Sequence, residues 1–176
     1  TDHRVVTSQL AGFVRDLRTI AADPPVQAEL VRHAYAFADQ GAAAFLNAYF
    51  AAPANDPRLL GRQLTRIVEI TSILPVPGRI APDGLPSAWK VSWVETSLPR
   101  GMDAQTATTA WEGYFGTRIV PPTSAERLTV NPLGLYVTSV SWTQVAARAT
   151  TTTPALDPIA SPPTVPPAAT AAPGGY

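Results

Sequence analysis

The sequence has no cysteine, which excludes a disulfide scaffold, a thiolate metal site and a cysteine nucleophile. Histidine is almost as scarce. His3 and His33 stand far apart, and neither belongs to an HxH, HExxH or HxxxH spacing, so no metal site is expected. No GxSxG elbow and no Gly-rich phosphate loop occurs, so neither a serine hydrolase nor a nucleotide site is indicated, and no cofactor is expected. Charge is thin as well. Charged residues make up 15%, and 13 basic side chains balance 13 acidic ones. A protein that coats nucleic acid needs a basic footprint, so no direct nucleic-acid contact is predicted. No apolar run approaches the roughly 18 residues of a membrane span.

What is present is a core. Of 176 residues 45% are hydrophobic, too many for a disordered chain and enough for one ordinary domain. Nineteen prolines are the other excess, and seven of them fall between Thr150 and Tyr176. That stretch, TTTTPALDPIASPPTVPPAATAAPGGY, has one charge (Asp157) and no hydrophobic period. It reads as a proline-, alanine- and threonine-rich disordered tail over 150–176, with one α+β domain over 1–149. A proline-rich ligand for a partner's groove is its functional alternative.

The first third reads as helical. Ser8 is placed to cap a helix carrying Leu10, Phe13, Val14, Leu17 and Ala21 at helical spacing. Asp23 stands before Pro24 and Pro25, a start for a second helix with Leu30, Val31, Ala34, Phe37 and Ala38 as its stripe. Ala42, Phe45, Leu46, Tyr49 and Phe50 form a third stripe, and Gly41 is expected to break the two helices apart. Asn55-Asp56-Pro57 offers one more helical start.

The period then changes to two. Runs from Leu64 to Val76, Ala88 to Leu98, Gln105 to Val120 and Leu135 to Val145 read as strands, separated by Pro/Gly-rich loops. Trp89, Val91, Trp93 and Glu95 share one face of the second run. In the last, Tyr136, Thr138, Val140 and Trp142 stand opposite Leu135, Val137 and Ser139. Helices followed by strands with no helices between them cannot make βαβ crossovers. The order demands an antiparallel four-stranded sheet with N-terminal helices packed on one face, and a twisted sheet of that kind makes the half-cone of the nuclear-transport-factor-two-like superfamily.

A cone can house an acid–base pocket. Glu95 and Glu112 are the candidate carboxylates, with Tyr35, Tyr49 or Tyr114 as donors; the alternative is pairing with arginines on neighbouring strands. The four tryptophans fall on strands without interleaved basic residues, which favours packing over base stacking. The segment Asn131-Pro132-Leu133-Gly134 is more specific. It is a type I turn arrangement whose asparagine can bond the backbone two residues on. Glycine at the last turn position is not strictly required, so Gly134→Ala is expected to fold.

The run NPLGLYVTSVSWTQ, from Asn131 to Gln144, resembles the end of the TrbF-type conjugal transfer proteins, in the family of the eighth VirB subunit of type IV secretion systems. FVRDLRTIAADPPVQ (Phe13 to Gln27), AWKVSWVET (Ala88 to Thr96) and AWEGYF (Ala110 to Phe115) are similar to that family in matching order. The resemblance covers Val5 to Gln144, and the family's Asn-Pro-any-Gly motif is matched by Asn131, Pro132 and Gly134, with Leu133 at the free position.

The resemblance implies the periplasmic domain of a single-pass bacterial inner-membrane protein, anchored by an N-terminal helix absent from this chain. It implies a structural assembly subunit of a conjugation apparatus that contacts other channel subunits, forms a weak homo-oligomer and catalyses nothing. Asn131 to Gly134 become the site of partner and self-association, with the exposed helix face and last strand beside them. A small-ligand-binding module or an isomerase-like enzyme of the same fold is the alternative.

The composition of the tail yields a first test. Cutting the chain after Ala149 is expected to leave the thermal midpoint nearly unchanged, read from a melting curve. A fall of more than a few degrees would make the tail part of the core.

Overall fold

A computed structural model of the chain describes residues 3–101 and 105–150; of the tail expected over 150–176 only Thr150 is described, and it ends the last strand. The first helix, α1, spans His3–Arg18. It begins before Ser8, which is an exposed residue inside it rather than its cap. The reason is Val6, buried one turn before Leu10, which extends the stripe of Leu10, Phe13, Val14 and Leu17. Helix α2, Pro24–Ala36, opens on the two prolines as expected, but the Asp23 side chain accepts no capping bond. The turn before it is tied by Gln27 instead, whose Oε1 accepts from the Ala21 N–H at 2.7 Å and whose Nε2 donates to the Thr19 carbonyl.

Helix α3, Gln40–Ala51, is capped by Asp39, whose carboxylate accepts from the Gly41 and Ala42 N–H groups. The break between helices therefore falls at Phe37 to Asp39, and Gly41 sits in the first turn of α3. A Cβ there would come within 2.8 Å of the Thr138 carbonyl, so this position needs glycine for close approach to the sheet. Helix α4, Pro57–Leu60, is capped by Asp56 through the Arg58 N–H at 2.9 Å.

Four strands follow: β1 (Leu64–Pro75), β2 (Ala88–Pro99), β3 (Thr106–Ile119) and β4 (Leu135–Thr150). They lie in the order β1-β2-β3-β4, antiparallel throughout, so each strand pairs with its neighbour in sequence. A short helix, α5 (Ala125–Val130), interrupts the connection between β3 and β4, where the sequence reads as loop. It buries none of its residues, so no apolar period marks it. Ala38 makes a parallel bridge to Val137, which covers the first part of the β4 edge. No helix among the described residues is long and apolar enough to cross a membrane.

Register shifts interrupt the ladder between Ile70 and Ser72, between Ala110 and Trp111, and between Gly116 and Thr117. Each extra residue reverses which side chains face inward. This corrects the alternation expected for the last strand. Leu135 and Val137 are buried, but beyond the shift Val140 and Trp142 pack against the core while Ser139 is exposed. Ile73 joins Val68 and Ile70 on the inner side of β1 for the same reason.

The interior of the half-cone is filled. Trp89, Trp93 and Phe115 from the sheet, Leu10 and Phe13 from α1 and Leu46 from α3 are all fully buried. Phe13 meets Phe115 edge to face at 6.3 Å, and the Trp89 indole N–H donates to Thr117 Oγ1. Because Phe13 joins helix and sheet at this centre, Phe13→Ala is expected to cost about 3–5 kcal/mol. Urea denaturation checks it, with a lowered midpoint at unchanged slope as the expected outcome.

Candidate functional site

Two places carry more structure than packing demands. The first is the turn between α5 and β4. Asn131 ends α5 and is itself buried, and its side chain bonds the start of β4 twice. Its Nδ2 donates to the Leu135 carbonyl at 2.7 Å, and its Oδ1 accepts from the Leu135 N–H at 3.0 Å. The Gly134 N–H donates to the Asn131 carbonyl, closing the turn, and the Gly134 carbonyl accepts from Val120 at the end of β3. The turn expected from the sequence is present, but its asparagine bonds Leu135, four residues on, rather than the backbone two residues on.

The structure brings the four residues together but gives them unequal access. Asn131 and Gly134 are buried, Leu133 is half-buried against the core, and Pro132 is exposed. Exposed apolar surface around the turn comes from Pro132 and from Val120, Leu128 and Val130. The expectation that Gly134→Ala folds is overturned. Gly134 has φ +67°, and an added Cβ would stand 1.8 Å from the Val120 carbonyl oxygen, which is backbone and cannot swing aside.

The second place is the mouth of the cone, and it turns on a residue that sequence reading passed over. Arg18, in the last turn of α1, is 4% exposed. Its Nε and Nη2 donate to the two oxygens of Glu95 at 2.5 and 3.0 Å, and its Nη1 donates to the Tyr49 hydroxyl at 2.9 Å. The guanidinium carbon lies 4.5 Å from the ring centre of Trp111, 5.1 Å from that of Trp142 and 5.7 Å from that of Tyr49. Glu95 also accepts from the Trp93 indole N–H, and Arg66 Nε stands 3.5 Å from its second oxygen. Burial raises the pKa of the Tyr49 hydroxyl above its ordinary value, against the opposing pull of Arg18. The signal in the sequence was an arginine four residues after Val14 on a buried stripe, and one acid on the Trp89-Val91-Trp93 face.

Above this pair opens a depression of about 360 Å³, walled by Phe45, Tyr49, Trp111 and Trp142, with Arg18, Arg66 and Asn55 as its polar groups. Glu95 is not part of its lining, because Arg18 stands between the carboxylate and Tyr49. Both oxygens of Glu95 are already engaged, so neither is placed to take a proton from a bound molecule. Glu112 pairs with Lys90 of the neighbouring strand at 2.9 Å, outside the depression. Of the tyrosines weighed as donors, Tyr49 accepts from Arg18 and Tyr35 donates to Asn47. His33 pairs with Asp16, and His3 meets the edge of Trp89. Among the described residues no group of three or more His, Asp or Glu could hold a metal ion.

A family model described as VirB8 protein matches residues 1–145. A conjugal transfer protein TrbF from Rhizobium radiobacter is 26% identical over 144 residues, which is 81% of this chain and 60% of that relative. The chain thus spans 60% of the relative's length. Among solved structures, the VirB8 protein of Agrobacterium tumefaciens aligns with a TM-score of 0.68 at 19% identity, over 81% of this chain and 92% of that one. The soluble domain of TrwG of the type IV secretion machinery from Bartonella grahamii aligns with a TM-score of 0.63 at 15% identity, over 81% and 94%. At these identities the likeness shows the fold, and it is the half-cone expected from the order of elements.

The Arg18–Glu95 pair makes a sharp prediction. Glu95→Ala leaves a buried guanidinium without its counter-charge and is expected to cost about 3–5 kcal/mol. Replacing both together, Arg18→Met with Glu95→Leu, is expected to recover most of that loss. Chemical denaturation of the two variants checks it, and equal losses in the single and double variants would contradict it.

Proposed function

The chain belongs to the VirB8 protein family, and from that premise we propose that it is a non-enzymatic assembly subunit of a conjugative type IV secretion system. It acts through protein–protein contacts, as the periplasmic domain of a protein held in the bacterial inner membrane by a helix outside this chain. The match to a conjugal transfer protein supports the conjugative role. The folding unit runs to the end of β4 at Thr150, with 151–176 as an appended tail. Zero net charge supports contact with protein rather than with the transferred nucleic acid.

The observation that carries the reading is the turn at Asn131 to Gly134. Two hydrogen bonds from one buried asparagine and a glycine locked against Val120 fix the shape of a segment whose outer surface is apolar. Fixing the backbone in advance lowers the ordering cost of association, which is what a docking surface needs. Asn131 and Gly134 hold the shape, while Pro132 and part of Leu133 are what another channel subunit or a second copy touches. Leu128 and Val130 of α5 extend that surface. Self-contact of this size is weak in solution and becomes effective when copies are gathered in one membrane.

The test separates shape from contact. Leu128→Glu and Pro132→Ser change exposed side chains, so each is expected to move stability by about 0.5 kcal/mol or less. Both are expected to lower conjugal transfer about tenfold or more, read in a mating assay beside a melting curve. Unchanged transfer with an unchanged melt would remove this surface from the function. Sedimentation at micromolar concentration is expected to show a monomer or a weak dimer.

A further inference from the structure

The depression at the cone mouth is not used by the turn surface, and its chemistry is one-sided. Three of the four indole N–H groups have acceptors: Trp89 on Thr117, Trp93 on Glu95 and Trp111 on Thr109. The fourth, on half-buried Trp142, has no acceptor among the described residues. Trp142 stands nearly perpendicular to Phe45 and to Tyr49, with ring centres 5.0 and 5.2 Å away, so the three rings pack into one aromatic wall of the cleft. Arg66 spends Nε on Ser97 and Glu95, which leaves its terminal N–H groups without an acceptor among the described residues. Two guanidinium groups face one carboxylate here. The cleft is aromatic, and beside the two guanidinium groups its polar groups are the Asn55 amide and the Tyr49 hydroxyl.

A proline-rich strand is its complement. Of the ten residues from Pro158 to Pro167, PIASPPTVPP, five are prolines with a carbonyl and no N–H. A polyproline II helix repeats every three residues, so Pro163 and Pro166 share one ridge and Pro162 and Val165 the next. Aromatic clefts with an indole donor recognise such ridges, because the segment is already extended and loses little entropy on docking. The one charge between Thr150 and Tyr176 is Asp157, of the sign that two arginines against one carboxylate attract.

We propose that the proline-rich segment Pro158 to Pro167 of this chain docks into the cleft of Phe45, Tyr49 and Trp142. Reach decides between the chain's own segment and a second copy's. β4 carries the chain about 27 Å beyond Trp142 to Thr150, at about 3.4 Å per residue. The twelve residues from Thr150 to Pro162 span about 37 Å at 3.1 Å each, enough to turn back. The intramolecular contact then has the advantage of a high effective concentration. The docked segment adds nothing to the core, so removal of the tail is still expected to move the melting midpoint by no more than a few degrees.

The experiment uses the full chain, labelled for the indole N–H resonances, with the Trp142 signal assigned by Trp142→Phe. In a second variant Pro162, Pro163, Pro166 and Pro167 are changed to alanine, which cannot disturb the folded domain through its core. The expected result is a shifted Trp142 indole resonance in the alanine variant, with Trp89 and Trp93 unmoved. A synthetic peptide of residues 156–168 then returns the resonance to its original place. The same peptide with the four alanines binds at least about tenfold more weakly. The wild-type resonance is also expected to hold its position on dilution. A Trp142 resonance indifferent to the alanines and to the peptide overturns the proposal. One that drifts on dilution overturns the intramolecular occupant and assigns the cleft to a second copy's segment.

Discussion

The Arg18–Glu95 pair is the constraint around which the domain is arranged. Arg18 leaves the last turn of α1 and Glu95 stands on the inner face of β2, so one ion pair joins the helical layer to the sheet. Tyr49 ties α3 to the same guanidinium, and Arg66 brings β1 alongside. Taking both charges from water costs several kcal/mol per ion, which the pair repays only through its added hydrogen bonds and the flanking rings. Three rings around the guanidinium and an indole donor on the carboxylate provide those terms. A charge pair also has one right partner. A slip of β2 by one residue would turn Glu95 outward and strand the arginine, so the pair pins register as well as contact.

Curvature is the second requirement, and the register shifts meet it. An unbroken twelve- to sixteen-residue ladder would twist without closing around α1. The shifts at Ile70/Ser72, Ala110/Trp111 and Gly116/Thr117 bend the strands, so that Trp142 reaches the cone mouth and Val137 its floor. The floor is closed by the buried turn of Asn131, and the mouth stays open above Arg18.

How much of this the sequence showed follows from the range of each interaction. The helices and strands were legible because their stripes repeat over three or more turns or pleats. Proline at the starts of α2 and α4 was legible because it acts within one residue. The half-cone followed from order alone. Ser8 misled because a capping residue cannot reveal that Val6, before it, is buried. The Val140 and Trp142 face misled because one inserted residue changes parity and leaves no mark in composition. α5 escaped because a helix that packs on nothing has no pattern to show. The Asn131 turn was found as a turn, yet the demand for glycine at Gly134 comes from Val120, fourteen residues away and invisible to local turn rules. The Arg18–Glu95 pair spans 77 residues; each half was an anomaly on its own face, and only their meeting explains both.

The order of elements sets a schedule for the growing chain. Strands that pair with their immediate neighbours can zip as they appear, but α1 comes first and part of its cover comes from β3, about a hundred residues later. Phe13 must wait for Phe115, 102 residues later, before their edge-to-face contact can form. At ribosomal speeds of about 5–20 residues per second that interval is roughly 5–20 s. Early in it the Val6, Leu10, Phe13 and Leu17 stripe has only the other helices to lie against, and β1 and β2 join them later. During synthesis the helix that ends up with the most buried residues is therefore left partly uncovered, for as long as a chaperone needs to find it.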